Sequence, residues 1–155
     1  MHIRYHFLTI QTFEQDTPHM IYKSNSVENT YEIAKELATK LIGGEVILLN
    51  GELGAGKTTF TKGLALALGV ERSVTSPTFT IIKEYVGSKF ELIHMDMYRL
   101  EDEDEVYELG VEEYLRKDTI VVIEWNKISK FPCKVIKINV TRTADEERIY
   151  EVEGL

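Results

Sequence analysis

The chain has 155 residues, 43% of them hydrophobic, and a formal net charge of -8. This length and composition suit one domain with its own core, and the apolar runs are far shorter than the roughly 20 residues of a membrane span. The acidic excess disfavours a protein that grips DNA or RNA through a basic face of its own. No secretory signal pattern is visible, and the single cysteine, Cys133, excludes an internal disulfide. We therefore expect a cytoplasmic protein.

The first residues differ from the rest of the chain because they show no regular apolar period. Met20 is a second candidate start, so residues 1–19 are either an N-terminal extension or a tail. We expect residues 20–155 to form a single domain, because no low-complexity linker or internal repeat divides them.

The first predicted helix begins near Asn25. Asn25 and Glu28 stand three residues apart, as in an N-terminal capping pair, and apolar residues then recur at helical spacing. The pair Gly43-Gly44 is expected to end this helix. An uninterrupted apolar strand follows at residues 46–50, and a glycine-rich loop leads from it into a helix at residues 57–68.

The second half of the chain is predicted to consist mainly of strands. After a turn, the predicted elements are a hairpin, a buried strand and a second hairpin at a sheet edge, at residues 79–86 with 89–95, 119–124, and 134–140 with 148–152. The acidic run Glu101–Glu105 suits the start of a helix, where carboxylates favour the helix dipole. The apolar face of that helix would include Val106, Leu109 and Leu115.

Residues 51–58 read G-E-L-G-A-G-K-T and match the P-loop pattern G-x-x-x-x-G-K-[ST] in full. In such a loop, successive N–H groups turn inward around an anion, and the following helix adds the positive end of its dipole. Lys57 suits the β- and γ-phosphates, the Thr58 hydroxyl suits magnesium, and Thr59 suits the α-phosphate. The pattern predicts a site for ATP with Mg²⁺ that comprises Gly51, Glu52, Leu53, Gly54, Ala55, Gly56, Lys57, Thr58 and Thr59.

Two acidic residues, Asp96 and Glu124, each end an apolar predicted strand. Because the carboxyl ends of strands in an α/β sheet face the ligand crevice, we expect both beside the P-loop. Together with Lys57 they form the predicted catalytic set, in which one acid serves the metal and one the attacking water. Trp125 either packs as an ordinary apolar residue or shields the nucleotide. A hydroxyl of residues 75–78 either caps a turn or senses the γ-phosphate.

A GTPase interpretation rests on the stretch Asn126-Lys127-Ile128-Ser129, which resembles the guanine-reading pattern N-K-x-D. Ser129 lacks the carboxylate that would accept two donors from guanine. The Asp-x-x-Gly element of GTPases is also absent from the sequence. The sequence therefore favours ATP over GTP.

Four segments occur in one order: the P-loop continued to Phe60, S-P-T-F at residues 76–79, H-M-D-M-Y-R-L at residues 94–100, and I-E-W at residues 123–125. With these segments the chain resembles the TsaE (YjeE) family of bacterial tRNA-modification proteins. The P-loop alone is generic, whereas D-x-Y-R-L and E-W beside it are specific. The resemblance covers about residues 26–140, and the N-terminal extension departs from it.

The resemblance implies an ATPase that acts with TsaB and TsaD in making threonylcarbamoyladenosine in tRNA, with the transfer chemistry on TsaD. Such a chain reaches tRNA indirectly, through the complex, which agrees with its acidic charge. Carried onto this sequence, Thr58 and Glu124 would hold magnesium and Asp96 would assist hydrolysis. Trp125 and Thr30 would lie near the nucleotide. The implied fold is α/β, a P-loop NTPase-like three-layer sandwich with a mixed sheet and an antiparallel edge.

Two other functions fit a P-loop. A small-molecule kinase needs an arginine-bearing lid and an insertion that binds the acceptor, but the stretch after Asp96 is short and acidic. A non-catalytic nucleotide-sensing module would bind ATP without hydrolysing it, which two well-placed acids disfavour. We therefore predict an ATP hydrolase whose turnover is weak alone and is raised by its partners, with neither a membrane nor DNA among them.

Overall fold

The computed structural model describes residues 7–10 and 19–155. Most of the extension or tail predicted for residues 1–19 therefore lies outside the described residues. A short strand, β1 (Phe7–Ile10), pairs antiparallel with β2 (His19–Ser24). The division into an extension and a domain at residues 20–155 stays a prediction.

The strands of the described residues form one mixed sheet. Besides β1 and β2 they are β3 (Val46–Asn50), β4 (Ile82–Val86), β5 (Glu91–Asp96), β6 (Thr119–Glu124), β7 (Val135–Arg142) and β8 (Arg148–Glu153). Their order across the eight-stranded sheet is β1-β2-β8-β7-β3-β6-β5-β4. Strands β7, β3, β6 and β5 run parallel, and the flanking strands on both sides pair antiparallel. The predicted α/β fold with a mixed sheet and an antiparallel edge is confirmed.

Helices cover both faces of this sheet and complete the predicted three layers. On one face, α1 (Val27–Ala38) and α2 (Lys57–Ala67) contribute apolar side chains to the same core. On the other face, α3 (Glu103–Glu108) and a 3-10 helix (Val111–Tyr114) contribute to a second core. Successive residues of β3, β5 and β6 alternate between the two cores, as the pleat requires. Within the described part of the chain, none of the helices has both the length and the apolar character needed to cross a bilayer.

The first helix has a different cap from the predicted one. Ser26, not Asn25, is the N-cap, and its hydroxyl accepts a hydrogen bond from the Asn29 N–H at 3.0 Å. The side-chain oxygen of Asn29 accepts a hydrogen bond from the N–H of Asn25 at 3.2 Å, so Asn29 takes the place expected of Glu28. The helix ends at Ala38, ahead of the predicted glycine stop.

The first predicted hairpin is present, but its strands are shorter than expected. The prediction of a strand from Phe79 is wrong, because β4 begins only at Ile82. Ile81 has a φ of +68°, a left-handed conformation that interrupts extended backbone. Its N–H donates to the carbonyl of Pro77 at 2.7 Å, which closes a turn immediately before the strand.

The second predicted hairpin, β7 with β8, is also present, but its placement at a sheet edge is wrong. Strand β2 pairs with the far side of β8 and lies outside the hairpin. The predicted acidic helix is confirmed as α3, which Asp102 caps. Val106 is buried, but Leu109 is 42% exposed because the chain turns at Gly110, which has a φ of +75°. Leu115 lies beyond α3, after the 3-10 helix.

Candidate functional site

The P-loop connects the end of β3 to the start of α2. Gly54 and Gly56 have φ values of +79° and +117°, in the region that glycine adopts readily. Gly51 is required for a different reason, because a Cβ there would lie 2.8 Å from the carbonyl oxygen of Val140 on β7. Helix α2 begins at Lys57, directly after the loop. This strand–loop–helix order is the one in which a P-loop surrounds phosphate groups.

Lys57 is a buried residue with its ammonium between an acid and an aromatic ring. Its Nζ lies 3.6 Å from Oε1 of Glu124, and the two side chains are each only 6% exposed. The same Nζ lies 4.1 Å from the ring centroid of Trp125, within cation–π range. The structure thus brings together three predicted site residues from α2, β6 and the residue after β6.

The two predicted acids stand side by side at the ends of adjacent parallel strands. Asp96 on β5 lies directly opposite Glu124 on β6, and both are buried. The Glu124 oxygens have different partners: Oε1 faces Lys57, and Oε2 lies 2.6 Å from Nε2 of His94. This placement agrees with the expectation that the carboxyl ends of the strands carry the site.

The carboxylate of Asp96 is held by two hydrogen-bond donors. The Tyr98 N–H donates to Oδ1 at 2.9 Å, and the Thr78 hydroxyl donates to Oδ2 at 3.3 Å. Thr78 also exchanges a 2.6 Å hydrogen bond with the hydroxyl of Ser76. The main-chain N–H of Asp96 donates to the carbonyl of Ile81, so the turn before β4 is fixed to the acid. The segment suggested as a γ-phosphate sensor therefore contacts Asp96.

Trp125 leaves β6 through an unusual backbone turn. Its φ is +55°, which is rare for a residue with a large side chain. The indole is 37% exposed and packs edge-on against Tyr98, with ring centroids 5.3 Å apart. Trp125 is thus neither a buried core residue nor a free surface residue; it lies over the ammonium of Lys57.

Thr30 lies on a different side of the P-loop. A cavity of about 50 Å³ is lined by Thr30, Gly56, Thr59 and Tyr150, with Ser26, Val27, Glu146 and Arg148 completing its walls. The Thr30 hydroxyl is buried and lies 3.3 Å from the hydroxyl of Tyr150. Burial raises the pKa of the Tyr150 phenol. The cavity therefore lies between α1 and Gly56, the last glycine of the P-loop.

A larger cavity of about 580 Å³ adjoins the rest of the loop. It is lined by residues 50–55, by Trp125 and by residues 139–142 of β7. The predicted contact residues Gly51, Glu52, Leu53, Gly54 and Ala55 therefore line one cavity. Gly56 and Thr59 line the smaller one.

The stretch that resembles a guanine-reading motif is engaged in local structure. The Asn126 side chain donates to the carbonyl of Ile128 and accepts from its N–H, both at 2.9 Å. Lys127 donates to the carbonyl of Leu100, and Ser129 donates through its N–H and hydroxyl to Glu103. The two hydrogen bonds from Ser129 lower the pKa of Glu103. They also assign a role to the acidic run, because Glu103 ties α3 to the loop after Trp125.

Sequence reasoning missed two residues of this region. His94 was visible only as a polar residue in an apolar strand, two positions before Asp96 and thus on the same face of the sheet. Arg148 lies beside the P-loop, since a Cβ on Gly56 would be 3.2 Å from its Nε. The guanidinium donates to main-chain carbonyls of the β7–β8 connection. No sequence signal places that arginine beside the loop, because the pairings that bring it there, β7 with β3 and β2 with β8, join residues far apart in the chain.

Comparison with known proteins identifies the family. The model described as "Threonylcarbamoyl adenosine biosynthesis protein TsaE" matches residues 24–150. The chain belongs to the TsaE family. The match contains every residue predicted for the site, from Thr30 to Trp125, and it confirms the resemblance drawn from the sequence segments. The roles of the individual residues remain predictions.

Relatives of this TsaE-family chain are similar along most of their length. The Bacillus subtilis tRNA threonylcarbamoyladenosine biosynthesis protein TsaE is 45% identical over 129 residues, which cover 82% of this chain and 80% of the relative. The Aquifex aeolicus protein of the same name is 47% identical over 113 residues, covering 72% and 79%. The crystal structure of Bacillus subtilis YdiB superposes with a TM-score of 0.72 at 34% identity, covering 91% of this chain and 88% of that one. These similarities confirm the P-loop type of fold.

Trp125 offers a direct measurement of where Lys57 lies. It is the only tryptophan of the chain, so fluorescence excited at a wavelength that tyrosine does not absorb reports this site alone. We expect Lys57→Met to change the emission of the nucleotide-free protein, because it removes a cation from the face of the indole. Lys62→Met, on the exposed side of the same helix, is the matched control and should leave the spectrum unchanged. Identical spectra for the wild type and Lys57→Met would show that the Lys57 ammonium does not lie over the indole ring.

Proposed function

We propose that this TsaE-family protein is a Mg²⁺-dependent ATPase that supports turnover of a TsaB–TsaD complex in tRNA threonylcarbamoyladenosine biosynthesis. The observation that carries the proposal is the convergence of Lys57, Asp96 and Glu124 where β5, β6 and α2 meet. A P-loop lysine, a metal-binding acid and a second acid for water are the parts that phosphoryl transfer to water needs. The tRNA pathway comes from the names of the relatives.

The residues beside the P-loop suit a magnesium nucleotide. Thr58 offers a hydroxyl in the first turn of α2, and Glu124 offers a carboxylate. Oxygen atoms are the ligands that Mg²⁺ prefers, and phosphates and water complete its shell in such sites. We therefore propose that Thr58 and Glu124 hold the metal. Bound magnesium would neutralise charge on the β- and γ-phosphates.

The remaining chemistry is assigned to Lys57 and Asp96. Lys57 would exchange the carboxylate of Glu124 for the β- and γ-phosphates, since its ammonium is a mobile point charge. Asp96 would orient the attacking water and accept its proton. Its carboxylate is already fixed by Tyr98 and Thr78, so it need not reorient when the water arrives. Thr78 would report loss of the γ-phosphate through this same contact.

The base of the nucleotide is proposed to be adenine, placed beside Thr30. The small cavity that Thr30 and Tyr150 line adjoins Gly56 and Thr59 of the phosphate site. The phenol of Tyr150 supplies a donor that adenine nitrogens accept. Guanine is disfavoured because Ser129 supplies no carboxylate and its polar groups are bonded to Glu103.

Partner proteins are expected to contact the rim of the site. Leu53, Phe79 and Tyr98 are 92%, 81% and 64% exposed, and Arg99 stacks on Phe79 at 4.4 Å. Exposed aromatic residues and arginine are the types enriched in protein interfaces. The formal net charge of -8 supports contact with tRNA through TsaB and TsaD, in the cytoplasm, over contact through this chain.

The experiment is to measure phosphate release by the purified protein alone and with TsaB and TsaD. We expect slow phosphate release by the protein alone and a clear rise with the partners. The reason is that the exposed apolar residues at the rim of the site would be covered only in the complex. Fast release that the partners leave unchanged would contradict the proposal. Transfer of labelled phosphate to a metabolite pool would favour a kinase. Binding of ATP without any hydrolysis in the complex would favour a nucleotide sensor.

A further inference from the structure

His94 is a fully buried titratable residue to which the proposed mechanism gives no role. It lies on β5 two residues before Asp96, with no exposed surface. Its Nε2 lies 2.6 Å from Oε2 of Glu124 on the neighbouring strand. Its Nδ1 is buried without a hydrogen-bond partner in the described part of the chain. An aliphatic side chain would fill this position without leaving a buried nitrogen unpaired, so there must be a physical reason for a histidine here.

The contact with Glu124 supplies that reason. The two oxygens of the Glu124 carboxylate have different partners. Oε2 lies 2.6 Å from Nε2 of His94, and Oε1 lies 3.6 Å from Nζ of Lys57. Because Oε2 is already committed, only Oε1 is directed toward the ammonium and the P-loop. A side chain with three rotatable bonds is thereby held in one orientation, at the place where a cation is expected to share a ligand with the phosphates.

The hydrogen bond also indicates which nitrogen of His94 carries the proton. A proton on Nδ1 would be a buried donor without an acceptor, which is unfavourable. A proton on Nε2 meets the Glu124 carboxylate at 2.6 Å. The Nε2–H tautomer, donating to Oε2, is therefore the arrangement that the surroundings favour.

We propose that His94 is a positioning residue for Glu124. It donates from Nε2 to Oε2 and so leaves Oε1 facing Lys57, where Oε1 would be available to the metal of a bound nucleotide. Without it, the Glu124 carboxylate is free to rotate and can bring both oxygens to Lys57. The inference rests on the proposed function, in that Glu124 must be a ligand of the metal. It gives His94, which was not predicted from the sequence as a site residue, the role of orienting that ligand.

The test compares four proteins: the wild type, His94→Leu, His94→Gln and Glu124→Gln. Leucine removes the donor, whereas glutamine places an amide nitrogen near the position of Nε2 and keeps it. The first readout is binding of Mn²⁺ to the protein–ADP complex, followed by electron paramagnetic resonance. The second is the affinity for ADP in EDTA, measured by calorimetry. Thermal unfolding of each variant verifies the fold.

We expect His94→Leu to lower the affinity for Mn²⁺ about 10- to 100-fold, as loss of an outer-shell partner does at other metal sites. ADP affinity in EDTA should change little. His94→Gln should restore most of the loss, which a merely space-filling role for the imidazole would not predict. If His94→Leu and wild type bind Mn²⁺ equally while Glu124→Gln binds it weakly, the positioning role is overturned and the proposed function stands. If Glu124→Gln also binds Mn²⁺ normally, both are overturned.

A measurement on the unaltered protein covers the possibility that His94→Leu fails to fold. Nitrogen-15 correlation spectra distinguish the two imidazole tautomers, and His94→Gln assigns the signal of His94. We expect the Nε2–H form. A signal showing the proton on Nδ1 would contradict the proposal, because Nε2 would then have no hydrogen to donate to Glu124.

Discussion

Replacing Lys57 by alanine is expected to lower nucleotide affinity by about 100-fold or more and to stop multiple-turnover support of tRNA modification. A hydrogen bond to a charged group contributes about 1.5–3 kcal/mol, and Lys57 is placed to serve two phosphate groups. The substitution also leaves the buried Glu124 without its cation at 3.6 Å, so an unscreened carboxylate would face the incoming phosphates. Calorimetry with ADP and reconstitution with TsaB, TsaD and tRNA measure the two effects.

The matched control is Lys62→Ala. Lys62 lies on the same helix but is exposed to solvent, so it tests whether loss of any positive charge from α2 is sufficient. Circular dichroism verifies that both variants are folded, which matters because the removal of one member of a buried ion pair can cost about 3–5 kcal/mol. Sustained product formation by folded Lys57→Ala would contradict the assignment of the P-loop to ATP-driven turnover.

The parts of the fold that the sequence predicts well are those whose signal is local. The P-loop is contiguous, and β3 and β6 are uninterrupted apolar runs, so their positions follow from residues 46–58 and 119–124 alone. Asp96 and Glu124 follow from one further rule, since acids at the ends of parallel strands share an edge of the sheet. In the structure the two acids lie directly opposite each other on adjacent parallel strands, as this rule requires.

The parts that the sequence does not predict depend on distant partners. The left-handed Ile81 is β-branched, and no local propensity favours such a residue in that conformation. It is held by main-chain bonds to Pro77 and Asp96. His94 resembles an ordinary strand residue until β6 brings Glu124, 30 positions later, to its Nε2. The β7–β8 hairpin was wrongly predicted to lie at a sheet edge for the same reason, because β2 pairs with β8 across most of the chain length.

Asp96→Asn is expected to separate binding from hydrolysis. Asparagine matches aspartate in shape, and its oxygen can still accept from the Tyr98 N–H as Oδ1 does at 2.9 Å. The amide cannot accept a proton from water, and loss of general-base catalysis lowers rates by about 100- to 10,000-fold. Nucleotide affinity should stay close to that of wild type, because Asp96 is not assigned to the phosphates or the metal. Single-turnover hydrolysis in the TsaB–TsaD complex and ADP calorimetry test the two halves.

Asp104→Asn is the control for charge, since Asp104 is an exposed acid of α3, and it should behave as wild type. Glu124→Gln provides the contrast, because it should weaken Mg²⁺-dependent binding as well as hydrolysis. If Asp96→Asn hydrolyses ATP at the wild-type rate, the water is oriented by another group, and Thr78, 3.3 Å from Oδ2, becomes the next residue to test. If Asp96→Asn instead loses nucleotide affinity with its rate per bound ATP unchanged, the roles of the two strand-end acids must be exchanged. The two variants together thus decide which of the neighbouring carboxylates serves the metal and which serves the water.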